Sequence, residues 1–177
     1  IPNPVNIAAL RQRASATRPM PDPYALYVGK LAVNKGTDLL VGAIAGADLD
    51  WPLVIVGEGP DRHAIESAAR RRGRDVRFTG WLDSAATAAW IAHAGMLIFP
   101  SRGPESLSRV LIEASALGVP IAAINTGGTA DIVEDEVTEK TVRILFKDGE
   151  NEFDYAGTLE ENVVRGNLQF KSPRQIL

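Results

Sequence analysis

Two glutamates, Glu105 and Glu113, stand with seven residues between them in a stretch, Phe99 to Gly128, that is otherwise mostly small, apolar or hydroxyl-bearing. On one helix beginning at Glu105 they would lie about 12 Å apart along the axis and about 80° apart around it, so both could serve one side. Carboxylates accept charge-assisted hydrogen bonds from sugar hydroxyls. Between them, the free backbone N–H groups of a helix start at Ser106, Leu107 and Ser108 would face an anion. A ligand with hydroxyls at both ends and a pyrophosphate between, such as a nucleotide sugar, matches this spacing. The plainer alternative is that Glu105 complements a helix dipole and Glu113 is a solvated helix residue. The two glutamates alone leave both readings open.

Cations come from another part of the chain. Lys30 and Lys35 share the loop Gly29 to Gly36. Two lysines on one loop suit a diphosphate leaving group, whose charge grows as a glycosyl bond breaks; ordinary surface lysines are the alternative. Gly57-Glu58-Gly59 is a glycine turn without the third glycine of a dinucleotide fingerprint, which argues against a dinucleotide-dependent oxidoreductase. Asp48-Leu49-Asp50 resembles a metal motif but falls between a helix and a strand, at the wrong sheet edge. His63 and His93 have no metal-ligand partners at useful spacing. Ser101 and Ser115 have no histidine placed for a hydrolase triad.

The elements that must position these residues are legible as alternating apolar runs and amphipathic segments. Tyr24 to Val28, Pro52 to Val56, Asp75 to Thr79, Met96 to Phe99 and Val119 to Ile124 read as strands, the third nearer an edge. Helices are expected over Asn6 to Arg13, over Thr37 to Ala47 with Thr37 as a cap, over Asp61 to Arg72, from a cap at Asp83 or Ser84 to His93, from Glu105 to Gly118, and over Thr129 to Glu134. This alternation predicts an α/β fold, a Rossmann-like three-layer parallel sheet with right-handed crossovers. Ligands on such sheets bind beyond the strands' carboxyl ends, where the loops carrying Lys30, Lys35, Gly57, Trp81, Leu82 and Glu105 fall. After Glu136 the pattern weakens. Thr141 to Phe146 reads as a last strand, Asp148-Gly149 as a turn, and the final residues show no clear period.

Bulk properties narrow the class. The chain has 177 residues, 45% hydrophobic and 23% charged, which suits one globular domain. A formal net charge of −3 argues against a nucleic-acid partner. There is no cysteine, so disulfides, thiolate metal sites and a cysteine nucleophile are excluded. No apolar run approaches the roughly 20 residues of a membrane helix. The opening Ile1-Pro2-Asn3-Pro4-Val5-Asn6 has no signal pattern and no initiating Met, so a piece of a longer chain is expected.

Taken in order, several motifs resemble one family. Pro100-Ser101, Glu105, Glu113-Ala114, Gly118-Val119-Pro120 and Thr126-Gly127-Gly128 are similar to the C-terminal half of GT-B glycosyltransferases, most of all the retaining family 4. Val28-Gly29-Lys30-Leu31 with Lys35-Gly36, Val56 to Pro60, and Phe78-Thr79-Gly80-Trp81 resemble its other strand-end loops. The resemblance implies residues 1–23 as interdomain linker and lead-in, 24–138 as a nucleotide-sugar-binding domain and 139–177 as a divergent C-terminal segment. It implies that Glu105 contacts the transferred sugar and is catalytic, that Glu113 binds the ribose, and that Lys30 and Lys35 hold the diphosphate, with Gly57 beside them. Backbone N–H groups of Ser106, Leu107 and Ser108 would help, and Trp81 and Leu82 would sit near the base. It implies a UDP- or GDP-linked donor with no cofactor and no metal, and an N-terminal acceptor domain of the same protein as partner. It also implies a cytoplasmic enzyme, with peripheral association at the membrane's cytoplasmic face admitted. A non-catalytic nucleotide-binding module of the same fold, or a GT-B sugar-nucleotide epimerase, is the alternative. A phosphorylase would need a pyridoxal-phosphate lysine context, which is not found. Lys30 replaces the family's usual arginine, and Ser106-Leu107-Ser108 its glycine-aromatic-glycine.

Overall fold

The five apolar runs form one parallel sheet. The computed structural model describes residues 5–14, 17–46, 51–102, 108–124, 141–148, 151–160 and 163–171. Its strands are β1 (Ala25–Val28), β2 (Leu53–Val56), β3 (Val76–Gly80), β4 (Met96–Phe99) and β5 (Ile121–Ala123), in the order β3-β2-β1-β4-β5. Every pairing is parallel. The helices are α1 (Ile7–Ala14), α2 (Leu40–Gly46), α3 (Arg62–Arg71), α4 (Ser84–Ala92) and α5 (Arg109–Ala116).

Alternation along each strand explains why the runs are apolar throughout. Tyr27, Ile55 and Ile98 pack on one face with Leu40 and Val41 of α2 and Ile65 of α3. Leu26, Val54 and Leu97 pack on the other with Ile91 of α4 and Leu111 of α5. A strand covered on both faces has no polar side to show. Among the described residues β3 has only one strand neighbour, and it is partly exposed, as expected of an edge. Outside this sandwich, Leu10 and Ala14 of α1 pack with Ala88 of α4. Tyr24 is buried, and its hydroxyl donates to the Trp90 carbonyl at 2.7 Å. Burial pushes its phenol pKa well up, so it stays a neutral donor.

Caps decide the helix starts. Asp83 accepts from the N–H groups of Ala85 and Ala86, at 3.0 and 2.8 Å, as the sequence predicts. Asp83→Ala should therefore cost about 1 kcal/mol of stability. Thermal unfolding should register that as a fall of roughly 2–4 °C in Tm.

Two helix starts differ from expectation. Thr37 caps nothing: a 3-10 turn, Thr37–Leu39, precedes α2, and Gly36 holds the cap position with φ 69°. The Thr37 side chain is buried and its hydroxyl donates to Asp61 instead. The helix expected from Glu105 begins at Arg109, because Ser108 is extended at φ −86° and ψ 119°. Serine disfavours helix interiors and favours the cap position. Ser108 takes that position without a side-chain cap bond. Helix α5 therefore does not run back through Ser108.

The expected C-terminal strand forms, but it is not the last. β6 (Thr141–Asp148) belongs to a second sheet with β7 (Asn151–Glu160) and β8 (Val163–Lys171), antiparallel in sequence order. Phe146, Phe153 and Phe170 share one register row, and Ile144, Tyr155 and Leu168 the next row on the same face. This period of two is a strand signature, present where no clear period was expected. β6 lies against α2, and β8 beside β5. Asp148 and Asn151 close the first hairpin. The expected helix Thr129 to Glu134, the Asp48-Leu49-Asp50 turn and Gly149 lie outside the described residues.

Candidate functional site

Strand order fixes where a cleft can open. The crossover from β1 runs to β2 and β3 on one side, and the chain then returns to β4 on the other. The carboxyl ends of β1 and β4 thus form the switch point at which open α/β sheets bind ligands. A cleft of about 210 Å³ lies there. Tyr27, Val28, Gly29, Lys30 and Lys35 line it from the β1 side, Phe99 and Ser101 from β4, and Ser108, Arg109 and Val110 from the start of α5.

The β1 loop is held by its neighbours. Tyr27 donates its hydroxyl to the Lys30 carbonyl at 2.9 Å. The N–H of Gly29 donates to Val56 at 3.0 Å, and that of Leu31 to Glu58 at 2.9 Å. Gly57 donates in turn to Gly80 at 2.8 Å, which ties three strand ends in series. The other side of the loop is seated on the segment after β4. Arg102 Nη1 lies 2.9 Å from both Asp38 oxygens, and its backbone N–H donates to Asn34 at 3.3 Å. Lys35, between Asn34 and Gly36, thereby lines the same cleft as Ser101 and Ser108.

Close approach requires the glycines. A Cβ on Gly36 would stand 1.8 Å from the Pro100 carbonyl oxygen, and one on Gly57 2.0 Å from that of Gly29. Both also have positive φ, 69° and 135°. These contacts bring loop backbones together that a side chain would hold apart.

The sequence-predicted residues fall into three groups. Lys30, Lys35 and Ser108 meet in the cleft. Gly57, Trp81 and Leu82 stand at the adjoining ends of β2 and β3; Trp81 is 74% exposed, while Leu82 leans on the core. Glu105, Ser106 and Leu107 lie outside the described residues. Glu113 is not in the cleft lining. It sits one turn along α5, paired with Arg109 at 3.5 Å. Arg109, Ser101 and Tyr27 were not foreseen as cleft residues. With the helix expected to start at Glu105, Arg109 falls past its first turn, so the sequence carries no first-turn signal for it; that position follows only from the observed start of α5. His63 is exposed and lies 3.6 Å from Glu66, so it belongs to a surface pair on α3. His93 is the C-cap residue of α4.

Residues 22–161 match the family described as glycosyl transferases group 1. The chain belongs to that family. Within the group 1 glycosyltransferases, it is 32% identical over 112 residues to the 2-deoxystreptamine N-acetyl-D-glucosaminyltransferase of Niallia circulans, covering 60% of this chain and 28% of the relative. It is 38% identical over 112 residues to the GDP-mannose-dependent alpha-mannosyltransferase of Mycolicibacterium smegmatis, covering 63% and 28%. The chain thus spans less than a third of either relative. The Anabaena HepE structure with UDP-glucose superimposes with a TM-score of 0.58 at 24% identity, covering 73% of this chain and 36% of that one. The fold is therefore that of a GT-B glycosyltransferase's C-terminal portion, as the motif resemblance implied. No helix among the described residues is long and apolar enough to cross a membrane.

Proposed function

We propose that this chain is the donor-binding part of a retaining glycosyltransferase that takes a UDP- or GDP-linked sugar and needs neither metal nor cofactor. The observation that carries this reading is the cleft at the β1–β4 switch point, where Lys30, Lys35 and Arg109 surround the start of α5. A helix beginning at Arg109 leaves its first N–H groups without intrahelical acceptors, and those groups together with the lysines suit a diphosphate. As the glycosyl bond breaks, negative charge builds on the leaving diphosphate, and fixed cations stabilise it where a divalent ion would otherwise serve. The relative named for GDP-mannose and the HepE structure with UDP-glucose support the two nucleotide choices.

In this reading Glu113 takes the ribose hydroxyls and Trp81 and Leu82 flank the base. Backbone N–H groups of Ser106, Leu107 and Ser108 join the diphosphate contacts, and Gly57 keeps the neighbouring loop close. Glu105 binds the transferred sugar. The acceptor comes from an N-terminal domain of the longer protein, so this chain alone binds donor and turns over little.

A thermal-shift screen with UDP, GDP and ADP tests the reading. A ligand at a hundred times its Kd stabilises by about 2.7 kcal/mol, so a fitting diphosphate should raise Tm clearly. If none of the three does, the reading is wrong. In the full-length enzyme, Glu105→Gln should leave diphosphate affinity unchanged and lower transfer roughly a hundredfold or more, as removal of one transition-state contact does. Equal loss of both would assign Glu105 to the nucleotide instead.

A further inference from the structure

Arg109 lines the same cleft as Lys30 and Lys35, yet its guanidinium Nη2 sits 3.5 Å from Glu113 Oε1. As a structural pair this is poorly designed. Arg109 opens α5, where the backbone dipole opposes a cation. It precedes its glutamate in the chain, the weaker order for a pair one turn apart. Its side chain is 63% exposed, so the attraction is screened, whereas that of Glu113 is only 15% exposed. With Glu113 so enclosed, the guanidinium takes one of the few accessible acceptor positions that a hydroxyl could otherwise use.

The nucleotide-sugar reading above supplies both new partners. A diphosphate between Lys30 and Lys35 would lie against the first turn of α5, within the same cleft that Arg109 lines. Its oxygens offer the planar guanidinium a bidentate acceptor of higher charge than one carboxylate. We propose that Arg109 exchanges partners when donor binds, leaving Glu113 for the diphosphate and so releasing the Glu113 carboxylate to the ribose hydroxyls. Arg109 is then a positioning residue that couples recognition of the diphosphate to recognition of the ribose. The nucleoside alone, having no phosphate, must compete with Arg109 for Glu113.

The proposal predicts effects of opposite sign. UDP and GDP are titrated by calorimetry, and uridine and guanosine by NMR, into the wild-type chain, Arg109→Leu, Arg109→Lys, Glu113→Gln and the Arg109→Leu/Glu113→Gln double variant. Arg109→Leu should weaken the preferred diphosphate roughly tenfold, the size of one charge-assisted contact. It should tighten the matching nucleoside roughly twofold, the size of one exposed ion pair. Arg109→Lys should keep most of the diphosphate affinity. In the Glu113→Gln background the gain for nucleoside should vanish, because nothing is left to release. Diphosphate affinity unchanged in Arg109→Leu, or nucleoside affinity unchanged or weaker, overturns the exchange while leaving the donor site intact. Failure of the wild-type chain to bind either diphosphate overturns the donor-site reading and the exchange with it.

Discussion

Gly36→Ala should destabilise the chain by about 3–5 kcal/mol and abolish detectable diphosphate binding, a large effect for a single methyl group. Two costs combine. The left-handed backbone at Gly36, φ 69°, penalises any residue with a Cβ by about 1–2 kcal/mol. The new methyl would also stand 1.8 Å from the Pro100 carbonyl oxygen, so one of two backbone segments must move. Gly118 separates the two costs, because it has the same φ of 69° and a Cβ added there would meet nothing within 4 Å. Gly118→Ala should therefore show the conformational penalty alone. For a chain of this size, 1 kcal/mol shifts Tm by roughly 2–4 °C. Thermal unfolding should thus place Gly36→Ala about 10 °C below wild type and Gly118→Ala only a few degrees below. Equal shifts would mean that the loop and Pro100 are not in contact. Binding goes with stability here because Lys35 is the neighbouring residue: moving the Gly36 backbone off Pro100 carries the lysine off the cleft wall.

The parallel sheet was legible because its inner strands are covered on both faces and so write themselves as unbroken apolar runs, the edge strand β3 being the more polar exception. Leu53 to Val56 and Met96 to Phe99 are buried at every position. Caps were legible where a side chain does the capping, as at Asp83, and misread where the backbone or a distant partner decides. Thr37 has the composition of a cap, but its hydroxyl is engaged 24 residues away by Asp61. That is a tertiary fact with no local signature. The same limit applies to the start of α5. Glu105 to Glu113 carries a helical spacing, yet α5 does not run back through the extended Ser108. Of the site, the lysines and the strand-end loops could be placed from topology alone, since the switch point follows from strand order. Arg109 was not legible, because a helix expected from Glu105 places it past the first turn. Of the β6–β8 meander only the first strand, expected over Thr141 to Phe146, was legible. The meander's two-residue period becomes persuasive only when Phe146, Phe153 and Phe170 are seen in one register row.

Lys35→Ala should lower diphosphate affinity by about 10–100-fold while leaving Tm within roughly 2 °C of wild type. So large a loss follows from position. Lys35 is half-buried, held between Asn34, whose carbonyl accepts from Arg102, and Gly36, which is pressed on Pro100. A loop backbone so held carries the lysine to the cleft, and partial burial lessens the screening of its charge. Lys30 makes the contrast. It lines the same cleft but is exposed, so its charge is more strongly hydrated and screened. Lys30→Ala should cost only about 2–5-fold, within the range of an exposed charge contact. Salt separates the two further. Raising ionic strength from about 0.1 to about 1 M shortens the Debye length from roughly 10 to 3 Å. The Lys30 contribution should then largely disappear, while most of that of Lys35 remains. Calorimetric titration of UDP and GDP at both salt concentrations measures this directly. If both alanine variants bind as the wild type does, the diphosphate does not lie between the β1 loop and α5. If both lose affinity equally and with the same salt dependence, the cleft acts through net charge rather than through a seated cation.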